Sequence, residues 1–225
     1  MMRSYLIELD LIQHLRLIRL AFLGALLVCP ACGEGPNTRP NIPTFYRTLD
    51  HVLADSSTLR QLYMTEIGDS LDPRIGAFSQ LEYLEIRNSD LQYLPDEFAK
   101  LKRLWTLKLI HNNFKSIPPQ IFELSRLSGL LIDGNKIDSI SFGLQRLTNL
   151  DFLSLDDNRL RHIAIANINP RMMVSMHFSS NRLDDFPADS SDFPKLQFLV
   201  LAGNPIPDST RKAIRRRLPN VEVSF

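Results

Sequence analysis

The side chains suited to chemistry are few and scattered. Cys29 and Cys32, in Cys29-Pro-Ala-Cys32, have the C-x-x-C spacing of redox and zinc sites. They directly follow an apolar run, no βαβ pattern surrounds them, and no cysteine occurs from Gly33 to Phe225. A disulfide framework, a thiolate cluster and a cysteine nucleophile are therefore excluded from the body of the chain. His111, His162 and His177 are too dispersed to form a metal set or a catalytic triad. Asp133, Asp156 and Asp157 could in principle gather Ca²⁺, which takes several oxygen ligands, but a solvated acidic strip is the plainer reading. The basic run Arg211, Lys212, Arg215, Arg216 and Arg217 suits an acidic surface, or simply the solvated face of a helix. No P-loop, nucleophile elbow or dinucleotide loop is present among only nine glycines. These residues predict no enzyme, no cofactor and no metal.

Charge narrows the partners. Lys and Arg number 26 against 25 Asp and Glu, a net +1, so nothing in the overall balance calls for nucleic acid. With 44% hydrophobic residues, the chain can build one sizeable core.

The first residues read as an address. Leu20 to Val28 form an uncharged apolar run after Arg16 and Arg19, and a Gly/Pro/Asn-rich stretch follows from Gly33 to Pro43. A positive flank, a short apolar region and a small-residue exit make an export signal. The run falls short of the roughly 20 residues that span a bilayer. Ala31-Cys32-Gly33 resembles the end of a bacterial lipobox, in which the cysteine becomes diacylated. The chain departs from that pattern in placing Cys29 where the family prefers Leu. The resemblance implies lipidation at Cys32 and membrane attachment; ordinary cleavage near Ala31 would instead give a freely secreted or periplasmic protein. On this reading residues 1–32 are leader and 33–43 a flexible tether.

Whatever the remaining side chains do, a repeat must position them. Asn112, Asn135, Asn158, Asn181 and Asn204 stand 23 residues apart. Eight, five and three positions before each, and two after, the residues are apolar: Leu104, Leu107, Leu109 and Phe114 around Asn112, Leu150, Leu153, Leu155 and Leu160 around Asn158. The pattern is L-x-x-L-x-L-x-x-N-x-L. It extends back through Leu81, Leu84, Ile86, Leu91 and Leu94, with Ser89 in place of asparagine, to a degenerate unit at Leu59, Leu62 and Met64 that is one residue short. Alternation such as Leu107-Lys108-Leu109 predicts a short strand with apolar residues inward. Stacked units would pair these strands in parallel, and stacked asparagines would satisfy buried backbone groups. The second halves, such as Ile117-Pro118-Pro119-Gln120-Ile121, predict a short helix or 3₁₀ segment with proline at its start.

These repeats resemble the leucine-rich-repeat family, in its 23-residue type. The resemblance covers Leu59 to Ile206 and implies an α/β solenoid, a horseshoe with a concave parallel sheet and short helices or 3₁₀ segments on the convex side. Asn167 and Pro170 fall where convex helix residues should pack, which predicts a locally irregular segment over 163–172. Phe45, Leu49, Val52 and Leu53, at helical spacing, predict an N-terminal cap helix within residues 44–58. Residues 207–225 predict a closing helix, capped by Asp208 or Ser209, and a strand through Val221, Val223 and Phe225.

Function should sit on the concave positions, which are free of core duty. Ile110, Leu131 and Phe152 are expected side by side on adjacent units, with Asp133, Asp156 and Asp157 along one edge and Trp105, the only tryptophan, nearby. An apolar centre bordered by charge is the anatomy of a protein-binding patch. The expected ligand surface comprises Tyr83, Glu85, Trp105, Lys108, Ile110, Leu131, Asp133, Phe152, Asp156 and Asp157. The leading expectation is a non-catalytic module binding a protein or peptide at the bacterial cell envelope, or as a secreted protein. The alternative is a carbohydrate or envelope-polymer binder, with Tyr63, Tyr83, Trp105, Phe152 and Phe198 as stacking platforms.

Overall fold

The computed structural model describes residues 44–140 and 142–225. The leader, the tether and Cys32 lie outside the described residues. Eight short strands follow in order: β1 Gln61–Thr65, β2 Tyr83–Arg87, β3 Thr106–Ile110, β4 Gly129–Leu131, β5 Phe152–Ser154, β6 Ser175–His177, β7 Phe198–Val200 and β8 Glu222–Ser224. They form one parallel sheet in sequence order.

Alternation decides which side chains enter the core. Leu62, Leu84, Leu107, Leu130, Leu153, Met176 and Leu199 share one row of the register and are fully buried. Behind the sheet run 3₁₀ segments, Pro73–Ala77, Asp96–Lys100, Pro119–Glu123, Leu144–Arg146 and Ile165–Asn167. Each is three to five residues long, too short for α-helical bonding, and most insert one apolar side chain, Ile75, Phe98, Ile121 or Leu144, into the core. Proline at the first positions of two of them lacks a donor that would find no partner there. The segment over 163–172 keeps one 3₁₀ turn, Ile165–Asn167; Asn167 at its end and Asn169 beyond it donate side-chain amides to the carbonyls of Ile140 and Gln145, both at 2.8 Å.

The asparagine column is a ladder of side-chain bonds. Asn158 accepts the Ile137 amide at 3.0 Å and donates to the carbonyls of Ile132 at 2.8 Å and Asp156 at 3.0 Å. Asn135, Asn181 and Asn204 repeat the arrangement. Asn112 donates to Ile86, while its Oδ1 is buried without a hydrogen-bond partner among the described residues. Ser89 receives the Ile67 amide at 3.2 Å. Just before each of these positions the backbone turns left-handed, at Asn88, His111, Gly134, Asp157, Ser180 and Gly203, and likewise at Glu66.

The spine holds register although unit length varies. Gln61 pairs with Tyr83, 22 positions on, Tyr83 with Thr106, 23 on, and Phe198 with Glu222, 24 on. The first shortfall falls between Glu66 and Pro73, and the last connection carries helix α1, Asp208–Arg217.

Two expectations about the caps change. Residues 44–58 do not form a regular helix; they make turns and one 3₁₀ segment, Leu53–Asp55. The unpaired edge of β1 captures the chain instead: the Tyr46 amide donates to Tyr63 O, and Tyr46 O accepts from Thr65 N, each at 2.9 Å. A helix of about ten residues is marginal alone, whereas the edge offers bonds that must otherwise go to water. Leu49 and Val52 still reach the core. Helix α1 begins after Pro207, with no side-chain cap from Asp208 or Ser209. No helix among the described residues is long and apolar enough to cross a membrane.

Candidate functional site

Three columns of side chains project from the sheet away from the core. One runs Gln61, Tyr83, Thr106, Gly129, Phe152, Ser175, Phe198; the next runs Tyr63, Glu85, Lys108, Leu131, Ser154, His177, Val200. A third starts with Thr65, Arg87 and Ile110.

The register rearranges the expected apolar patch. Leu131 pairs across to Lys108 and Ser154, and Phe152 to Gly129 and Ser175, so Ile110, Leu131 and Phe152 lie on a diagonal through three columns, not in a row. All three are half-buried. Gly129 leaves a notch beside them: a Cβ placed there would meet only Thr106, at 3.6 Å. Trp105 is 45% exposed but precedes β3, off the outward columns.

Towards the N-terminal end the face is sealed by its own side chains. Glu85, expected to be available, is only 4% exposed. It accepts the Tyr83 hydroxyl at 2.7 Å and Arg87 Nε at 2.7 Å. The Tyr63 and Tyr83 rings pack at 5.1 Å, Phe45 meets Tyr63 edge-on at 5.7 Å, and Arg87 caps the Phe45 ring at 4.3 Å. Burial and the neighbouring Glu85 carboxylate hold the Tyr83 phenol well above its ordinary range. Lys108 stands 5.9 Å over the Tyr83 ring, at the boundary between this cluster and the apolar diagonal. Phe45 lies outside the repeats, so their period gave no signal of its part in the site.

The acidic strip also differs from expectation. Only Asp157 is exposed, and it occupies a left-handed turn position. Asp133 accepts the Ser154 hydroxyl at 2.6 Å and the Asp156 amide at 3.0 Å; Asp156 accepts the Ser179 amide. These two carboxylates therefore tie successive units together instead of standing in solvent. Burial, reinforced by the charge of Asp133, pushes Asp156 up to about 7. Opposite them His177 packs its ring 5.0 Å from Phe152, its Nε2 3.1 Å from Ser175 Oγ, and burial pulls it down to about 4. Ser154 and Ser175 gave no signal as site residues, since small polar side chains on an outward strand position look like ordinary surface, and His177 stood out only as too far from the other histidines. Among the described residues no three His, Cys, Asp or Glu side chains are placed to hold a metal.

The five candidate stacking aromatics do not form one platform. Tyr63 and Tyr83 cover each other, Phe152 packs on His177, Phe198 lies two strands beyond Phe152, and Trp105 precedes β3, off the outward columns.

Residues 51–168 match the family described as a leucine-rich repeat region. The chain belongs to that family. Two solved internalin structures share the fold. An internalin from Listeria monocytogenes is 21% identical with a TM-score of 0.58, covering 77% of this chain and 50% of its own. Internalin C2 from the same organism is 22% identical with a TM-score of 0.57, covering 74% of this chain and 71% of its own. A leucine-rich-repeat protein from Leptospira interrogans is 23% identical with a TM-score of 0.48, covering 80% of this chain and 58% of its own. This leucine-rich-repeat chain thus spans half the length of the first internalin and 58% of that of the Leptospira protein. No curated protein matches it.

Proposed function

We propose that this leucine-rich-repeat chain is an exported, non-catalytic recognition module, anchored through a lipid on Cys32, that binds a protein or peptide on the outward face of its sheet. The apolar diagonal Ile110, Leu131 and Phe152, half-buried around the Gly129 notch, carries the reading. Apolar side chains there do nothing for the core, and the notch gives a partner's side chain a place to enter. Lys108 borders the diagonal on one side and Asp133 and Asp156 on the other, which supports a mixed rim around an apolar centre.

The test is capture of envelope partners by the wild-type chain and by Leu131→Asp, alongside Phe142→Ser as a control on the opposite side of the repeats, where Phe142 is 78% exposed. A partner lost with Leu131→Asp and kept with Phe142→Ser is the expected result. A partner kept by both, or one lost on Trp105→Ala alone, would overturn the placement. Intact-mass measurement of the membrane fraction, with Cys32→Ala beside it, tests the anchor: acyl mass on the wild type only is expected.

A further inference from the structure

A second surface lies where the chain leaves the sheet. Beyond the asparagines the backbone continues the ladder: the amides of Asn113, Lys136, Arg159 and Arg182 donate to the carbonyls of Leu91, Phe114, Ile137 and Leu160, at 2.8 to 2.9 Å. Alternation then buries Phe114, Ile137, Leu160 and Leu183 and turns their neighbours outward. Two outward columns result. Asn113, Lys136, Arg159 and Arg182 form one; Lys115, Asp138, Arg161 and Asp184 form the other.

The first column holds three cations on consecutive rungs, about 5 Å apart by strand spacing. The second alternates in sign and adds no net charge. Lys136, Arg159, Arg161 and Arg182 make no side-chain ion pair or hydrogen bond with another described residue. Three of the four helix α1 arginines differ, Arg216 being the exception. Arg217 bonds Asp185 at 2.6 Å, and Arg211 and Arg215 pack on the Phe225 ring. At the end of the ladder column lies an open cleft of about 340 Å³, lined by Arg161, His162, Arg182 and Asp184.

We propose that this flank binds a polyol phosphate chain, with one phosphate held by Arg161, Arg182 and His162 in the cleft, a hydroxyl of the same unit donating to Asp184, and the next phosphate on Arg159 and Lys136. Guanidinium forks match phosphate oxygens in pairs, and cations left unpaired on this flank need not be released from a partner before they bind. A carboxylate at the cleft wall repels a bare anion, so it favours a ligand that brings hydroxyls with its phosphates. The row of cations on successive rungs favours a chain over a single anion. This site is separate from the outward sheet face and does not depend on it.

Calorimetric titration of the full chain with poly(glycerol phosphate) tests the proposal. Binding should weaken roughly tenfold or more in the double variant Arg159→Gln, Arg182→Gln, because charged hydrogen bonds are lost. It should be unchanged in Lys212→Gln, Arg216→Gln on α1. All four positions are exposed, and thermal melts establish that the variants fold. Glycerol 3-phosphate should bind more weakly than the chain. Asp184→Ala should narrow the preference for poly(glycerol phosphate) over inorganic polyphosphate. Failure of poly(glycerol phosphate) to bind, equal binding by the double variant, or equal binding of poly-glutamate would overturn the proposal, the last by assigning the flank to acidic peptides.

Discussion

Asp133 Oδ1 receives the main-chain amide of Asp156 at 3.0 Å, one unit further along, and Asp156 receives that of Ser179 in turn. The two carboxylates therefore act as backbone partners between units. This makes the centre of the outward face sensitive to pH in two opposing ways.

Asp156 is raised from 3.8 to about 7, so its contribution to stability is complete below pH 4 and is lost as pH rises towards 7. His177 is lowered from 6.5 to about 4, so its contribution is complete above pH 6.5 and is lost as pH falls towards 4. Across the shared window the two changes oppose each other. Asp156→Asn should expose the His177 limb, with stability falling as pH drops from 6.5, by up to about 1.4 kcal/mol per pH unit. His177→Gln should expose the opposite slope. Urea melts at pH 4.5 and 6.5 check both; two variants with the wild-type profile would sink the argument.

Asn158→Leu should destabilise the fold by about 1–3 kcal/mol, since it leaves the Ile137 amide and the Ile132 carbonyl without their side-chain partner in a buried place. Denaturant melts measure it. Stability equal to wild type would refute the ladder as a source of stability.

Glu85 is a buried carboxylate whose charge is balanced chiefly by Arg87. Arg87→Met should cost about 1–3 kcal/mol, less than for a fully buried pair because Arg87 is partly exposed. Adding Glu85→Gln should recover part of that loss. A double-mutant cycle gives the coupling, and additive losses would show that the pair does not interact.

Gly134 takes φ +65°, and the His111 ring fills the space its Cβ would need. Gly134→Ala should therefore cost about 1 kcal/mol for the backbone alone, plus displacement of the ring. His111→Ala in the same chain should return the second part. Thermal unfolding of the two variants and their combination separates the contributions.

The sheet was legible because one requirement recurs every unit: three inward apolar side chains and a buried amide fix residue types at fixed positions, from Leu104 to Asn112 and again from Leu150 to Asn158. The N-terminal segment misled because Leu49 and Val52 are buried in the turns as they would be on a helix, so their spacing does not distinguish the two. Glu85 was illegible for a different reason. Its burial comes from Tyr83 beside it and Arg87 beyond it, and no periodicity encodes what neighbouring outward side chains do to one another. The left-handed column was half legible: Asn88, His111, Asp157, Gly134 and Gly203 are types that tolerate that conformation, while Glu66 and Ser180 adopt it because the ladder on either side holds them there.

The spine pairs residues 22, 23 or 24 positions apart without losing a rung. The surplus or deficit is absorbed on the back, between Glu66 and Pro73 or in the connection that carries α1. Front and back are therefore free to drift at different rates. Insertions and deletions can accumulate behind the sheet across lineages while the order of side chains in front is inherited intact. A descendant could lengthen its reach by copying a whole unit, and every side chain already on the face would keep its neighbours except at the seam.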